Sequence, residues 1–212
     1  MIKEVCVENF TNVPLMIERG ADRIELNNDL SVGGTTPSFG VIKKTVEYAH
    51  KHDVPVIVMI RPRGGNFVYS EDELEIMIND IQICSLLGVD GVTFGCLTRE
   101  KHLDKRAMNR LLSVAHAGDL EVVMHMAFDE LTNAEQKEAI DWLSQNRVKR
   151  ILTHGGPLNQ PISRTLDHLK EVVKQAKNKI EILPGGGITK VNVNKIVEQI
   201  KIKQVHGTKL LG

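Results

Sequence analysis

The chain has 212 residues, with 27 basic and 27 acidic side chains and a formal net charge of zero. That balance excludes the electrostatic footprint of a nucleic-acid or anionic-membrane binder, and no apolar run approaches the roughly 20 residues needed to cross a bilayer. The length suits a single domain over 1–212. Three widely spaced cysteines argue against a disulfide framework and for a reducing cytoplasm.

Short apolar strands alternate with helical patterns from end to end. The opening Met1-Ile2-Lys3-Glu4-Val5-Cys6-Val7 is too short and too charged for a signal peptide and reads as a strand over 3–7. Further strands are expected over 23–26, 56–60, 91–94, 121–125, 150–153, 180–183 and 204–206. Amphipathic helices are expected over 12–18, 40–50, 71–87, 105–116, 133–145, 163–176 and 191–200. Ser70 and Glu73 form a capping box for the third helix, and Asn133 with Gln136 repeats the pattern. Gly20 and Gly88 follow helices as C-cap glycines should.

Strand–helix alternation with crossover-length connections means parallel strands. Eight of them predict a (β/α)8 TIM barrel, and the lack of a Gly-rich dinucleotide fingerprint after the first strand weakens the open-sheet alternative. Only six residues follow His206, so the last outer helix is expected to be missing. The resulting gap would expose apolar surface to a partner subunit or another covering element.

The strand ends carry the chemistry. Val54 to Ile60 runs directly into Arg61-Pro62-Arg63-Gly64-Gly65. Buried arginine needs a carboxylate, an anion or a wet cleft, and ligands bind at this end of parallel strands. Residue parity along each strand then gathers Cys6, Glu8, Arg23, Glu25, Asn27, Met59, Arg61, Arg63, His125 and His206 around one mouth. Gly95, Cys96, Asp129, the Thr153–Gly156 turn, the Gly185–Gly187 run and Thr208 lie in the adjoining loops. A glycine run after the seventh strand can bind phosphate through backbone N–H groups, with Thr189 as the N-cap of the next helix.

Each feature also has a plain structural reading: Glu25 and Arg61 as an ion pair, His125 as a hydrogen-bonded core histidine, Cys6 and Cys84 as packing groups, the glycines as a tight turn. The functional reading makes Glu25, Arg61, His125 and Asp129 a catalytic group. Glu8, Arg63, Gly185, Gly186, Gly187 and His206 would be ligand contacts, with a small anionic metabolite as substrate.

From Glu4 to about Thr208 the chain resembles the CutC family, proteins named for copper homeostasis. The carrying motifs are Glu4-Val5-Cys6-Val7, Gly20-Ala21-Asp22-Arg23-Ile24-Glu25-Leu26, Gly33-Gly34-Thr35-Thr36-Pro37-Ser38, Val58 to Gly65, Ala127-Phe128-Asp129, Arg150-Ile151-Leu152-Thr153 and Pro184-Gly185-Gly186-Gly187-Ile188. The resemblance implies a TIM barrel, a cytoplasmic homodimer and copper binding. It also implies departures: Asn27 stands where the family commonly has cysteine, Met126 where it has arginine, and His154 where it has serine. Cu(I) prefers thiolate and thioether ligands, so Cys6 is the metal candidate, with Met126, Met59 or Cys96 able to join it. Two readings are therefore carried forward: a copper-binding protein, and a barrel enzyme acting on a small phosphorylated metabolite. A hard-ligand metal site at Glu25 and His125 is disfavoured by the neighbouring arginines.

Overall fold

The computed structural model describes residues 1–212. Strands and helices alternate as β1 Ile2–Glu8, α1 Val13–Glu18, β2 Arg23–Asn27, α2 Phe39–His50, β3 Val56–Met59, α3 Glu71–Leu86, β4 Gly91–Phe94 and α4 Lys105–Ala117. They continue as β5 Glu121–Met124, α5 Asn133–Gln145, β6 Arg150–Thr153, α6 Ile162–Ala176, β7 Glu181–Pro184, α7 Val193–Ile200 and β8 Gln204–Gly207. Two 3-10 segments, Leu30–Val32 and Met126–Glu130, lie in the loops after β2 and β5.

All eight strands are parallel and pair in the order β7-β6-β5-β4-β3-β2-β1-β8. Between β7 and β8 there is no ladder. A single bridge from Thr189 to Lys209 and bonds from Gln204 Nε2 to Ile182 O (3.3 Å) and Glu181 Oε2 (3.2 Å) join the two. The result is a nearly closed (β/α)8 barrel. No helix follows β8. The segment after it crosses the gap between α7 and α1: Lys190 donates to Lys209 O, Arg19 binds Gly212 O, and Leu210 is buried. The expected gap thus has a covering element within the chain itself.

Parity places the side chains. Val5, Val7, Ile24, Leu26, Val56, Val58, Val92, Phe94 and Val205 face outward into the layer shared with the helices. The interior is divided. Ile57, Val123, Leu152 and Leu183 fill the side built by β3, β5, β6 and β7. Glu4, Arg23, Glu25, Gln204 and His206, all buried, fill the side built by β1, β2 and β8. Register explains that grouping, because Glu4 is opposite both Arg23 on β2 and His206 on β8.

Local signals mostly act as expected. Ser70 Oγ accepts from Glu73 N–H while Glu73 accepts from Ser70 N–H, a complete capping box for α3. Gly20 (φ +86°) and Gly88 (φ +71°) follow α1 and α3 in the left-handed region that ends helices. Two caps are corrected. Thr132, one residue earlier than expected, caps α5 by accepting from Glu135 N–H; Gln136 is buried and donates instead to Phe128 O. Helix α7 starts at Val193, so Thr189 is not its N-cap; Asn192 Oδ1 accepts from Thr189 N–H and fixes the turn before the helix.

Candidate metal and ligand site at the barrel mouth

A cavity of about 550 Å³ opens at the carboxyl ends of the strands. Cys6, Glu25, Asn27 and His206 line one side of it; Met59, Arg61, Phe67, His125 and Met126 also line it, as do Gly186 and Gly187 after β7.

The charged side is organised by Glu4. Its carboxylate pairs with Arg23 and accepts from His206 Nδ1 (2.8 Å), while Arg23 Nη2 donates to Gln204 Oε1 (3.1 Å). Burial would raise the Glu4 pKa, but His206 and Arg23 outweigh it and hold the carboxyl at about 2. Because Glu4 takes the Nδ1 proton, the opposite nitrogen of His206 faces the mouth cluster, with Nε2 3.7 Å from Glu25 Oε2. Burial opposes charging of His206, yet the carboxylates of Glu25 and Glu4 raise its pKa above the usual imidazole range.

Cys6 Sγ, a Glu25 carboxylate oxygen and a His206 ring nitrogen lie within 4.8 Å of one another. Asn27 Nδ2 donates to both Glu25 Oε2 (2.9 Å) and Cys6 Sγ (3.4 Å). Burial and the Glu25 charge push the Cys6 thiol pKa well up, so a cation bound there must displace a proton. The donor set mixes sulfur, imidazole and carboxylate. A histidine whose far nitrogen is held by a carboxylate is the usual second-sphere arrangement of a metal ligand. The residues present therefore fit a transition-metal ion.

Arg61 behaves differently from expectation. It makes no ion pair with Glu25 or any other carboxylate. Nη1 donates to Val32 O (2.9 Å) and Gly34 O (3.0 Å), Nη2 donates to Gly65 O (2.6 Å), and the guanidinium lies 4.9 Å from the centre of the Phe67 ring. It braces two loops while leaving its charge in the cavity wall. His125 stacks on the same Phe67 ring at 4.8 Å, and its Nδ1 accepts from Ala127 N–H (3.2 Å). Burial and the Arg61 charge lower the His125 pKa to about 3. The imidazole is thus held neutral, with its proton on Nε2.

Three further candidates leave the cavity. Arg63 is held by both oxygens of Glu73 and by the Val68 carbonyl, so it fixes the loop before α3. Glu8 is exposed and accepts from Leu30 N–H (2.7 Å). Asp129 accepts from the Thr153 hydroxyl and from the N–H groups of His154 (2.8 Å) and Gly155 (3.2 Å), and bridges the loops after β5 and β6. Burial raises its carboxyl pKa despite those donors. In the glycine run, Gly185 N–H is used by Thr153 O (3.0 Å), and only Gly186 and Gly187 line the mouth. Of the four residues of the acid–base reading, Glu25, Arg61 and His125 line the cavity and Asp129 does not.

The model of the CutC family matches residues 1–211. A CutC family protein of Enterococcus faecalis is 51% identical over 211 residues, covering all of both chains. The human copper homeostasis protein cutC homolog is 38% identical over 205 residues, 97% of this chain and 72% of that one. A crystal structure of a CutC protein from Streptococcus agalactiae superposes with a TM-score of 0.95 at 42% identity, over 99% of both chains.

The chain belongs to the CutC family.

Within this family member, sequence reasoning found Cys6, Glu25 and His206 singly but missed that they meet. It also missed Glu4, which organises them. The signal was available: Glu4 is two residues before Cys6 and so shares its face, and closure sets β8 against β1. Of the proposed soft partners of Cys6, Met59 and Met126 line the mouth. Cys96 is buried apart from it, its thiol raised beyond the ordinary range by burial and by Asp104.

Proposed function

We propose that this chain binds copper at the barrel mouth, with Cys6 Sγ, His206 Nε2 and Glu25 as its ligands, and serves copper homeostasis as its human relative is named to do. The approach of those three donor atoms to within 4.8 Å carries the reading. Sulfur and imidazole donors suit Cu(I), and the thioethers of Met59 and Met126 on the same wall add soft character. Glu4 holds His206 in the tautomer that leaves Nε2 for the metal. Asn27 donates its amide to the Cys6 sulfur, where the family resemblance leads one to expect a second thiolate.

The reading includes a cytoplasmic homodimer. Three free, buried cysteines support a reducing compartment. Exposed Leu15 on α1 and Val191 before α7 support an apolar contact beside the chain termini. No helix is long and apolar enough to cross a membrane.

The test is an anaerobic titration of the reduced protein with Cu(I) against a chromophoric chelator, with Zn(II) in parallel. One Cu(I) per chain is expected. Cys6→Ser and His206→Gln should each weaken it at least about tenfold, the loss that even outer-sphere changes produce. Equal affinity and stoichiometry in all three proteins, or a site that takes Zn(II) and refuses Cu(I), would overturn it.

A further inference from the structure

Two donors in the mouth have no acceptor. Arg61 Nε and His125 Nε2 are both fully buried and make no hydrogen bond. They belong to side chains that flank one ring, Phe67, at 4.9 and 4.8 Å, and both side chains line the 550 Å³ cavity. A buried donor without a partner typically costs about 1–3 kcal/mol. Buried donors of this kind are rarely kept in a folded protein unless something else satisfies them.

Their electrostatics share one sign. Arg61 donates to carbonyl oxygens and lies against a ring face, and no carboxylate pairs with it, so its charge has no counterion. His125 accepts at Nδ1, which leaves the proton on Nε2. Gly186 and Gly187, at φ +73° and +76°, add two backbone N–H groups that make no intramolecular hydrogen bond. The side chain of His154 holds that turn, with Nδ1 2.9 Å from Gly186 O. Leu30, Val32, Leu152, Leu158 and Ile188 give the rest of the cavity an apolar lining.

We propose that Arg61, His125 and the Gly186–Gly187 amides form a binding subsite for the oxyanion group of a small organic ligand, separate from the Cys6–Glu25–His206 cluster. The shared chemistry is a singly charged carboxylate or phosphate group on a partly apolar body. One unpaired guanidinium balances one negative charge. The neutral imidazole and the amides donate to the remaining lone pairs, as anion-binding turns do. The apolar lining takes the rest of the ligand.

The proposal does not rest on copper binding, and its test uses metal-free protein, so the two can fail separately. Inorganic phosphate and butyrate are titrated in turn while NMR follows the Gly186 and Gly187 amides and the Nε–H signals of Arg61 and His125. Saturable shifts of all four groups are expected with at least one probe, and which probe binds more tightly names the anion class. His125→Gln should weaken binding about fivefold, the worth of one hydrogen bond, and Arg61→Met should abolish it. Arg61 also braces two loops, so Arg61→Lys, which keeps the charge but loses the fork, serves as the second variant and should weaken binding about tenfold. Absence of saturable shifts with both probes overturns the proposal. So does binding by His125→Gln and Arg61→Lys as tight as that of the parent protein.

Discussion

His206 Nδ1 lies 2.8 Å from Glu4 Oε1 although 202 residues separate them in the chain. The contact is a product of closure: β8 pairs with β1 in a register that sets His206 opposite Glu4. Glu4 meets Arg23 on its other side, so one buried carboxylate serves two cationic neighbours.

Removing that carboxylate should therefore be costly. Glu4→Gln leaves Arg23 and His206 buried beside a neutral amide, and breaking a buried pair from one side typically costs about 3–5 kcal/mol. Urea unfolding of the parent and variant measures it. A loss below about 1 kcal/mol would show that Glu4 is dispensable to the barrel.

Acid should weaken the fold through His125. Its imidazole pKa stands at about 3 in the folded protein, against an ordinary value of 6.5. Between those values the unfolded chain binds the extra proton and the folded chain does not, so stability is full above pH 6.5 and declines as the pH falls towards 3. From pH 7 to pH 5 this group contributes a loss of about 2 kcal/mol. Urea midpoints at the two pH values should fall less for His125→Gln than for the parent. An identical fall would assign the acid sensitivity to other groups.

Asp129 is expected to act as a brace alone. Asp129→Asn removes the charge that receives Thr153, His154 and Gly155, at a cost of about 1.5–3 kcal/mol. Copper affinity should stay within a factor of two. A stable variant with impaired Cu(I) binding would return Asp129 to the functional site.

Asn27 offers a gain of function. Its amide nitrogen is 3.4 Å from Cys6 Sγ, so Asn27→Cys places a second sulfur beside the first. Cu(I) affinity should rise at least about tenfold, since a soft ion gains a thiolate. Chelator competition under reducing conditions reads it, and an unchanged affinity would exclude Asn27 from the metal's surroundings.

The architecture was legible because a parallel barrel writes itself locally. Several buried strands are short apolar runs, such as Val56 to Met59 or Gly91 to Phe94, and several helices carry their own side-chain caps, Ser70 being the clearest. Parity along single strands also assigned Cys6, Glu25 and His206 to the interior. Which of them would touch was not legible, since that depends on register between strands far apart in the chain. The partners of Arg61 and Asp129 were not legible for another reason. Apart from the Thr153 hydroxyl on Asp129, those partners are backbone carbonyl and N–H groups, which no side-chain pattern records. Glu8, bound to the Leu30 amide, is a third example.

The pairing of the last strand with the first has a consequence for how the molecule comes into being. The donor cluster draws on residues 6, 25 and 206, and the last of these takes its place only when the final strand docks on the first. Long-range strand pairing is slow and entropically demanding in such a topology, so the three donors are brought together last. A nascent chain whose last strand has not yet docked holds seven strands and all of its helices, yet the three donors are not assembled.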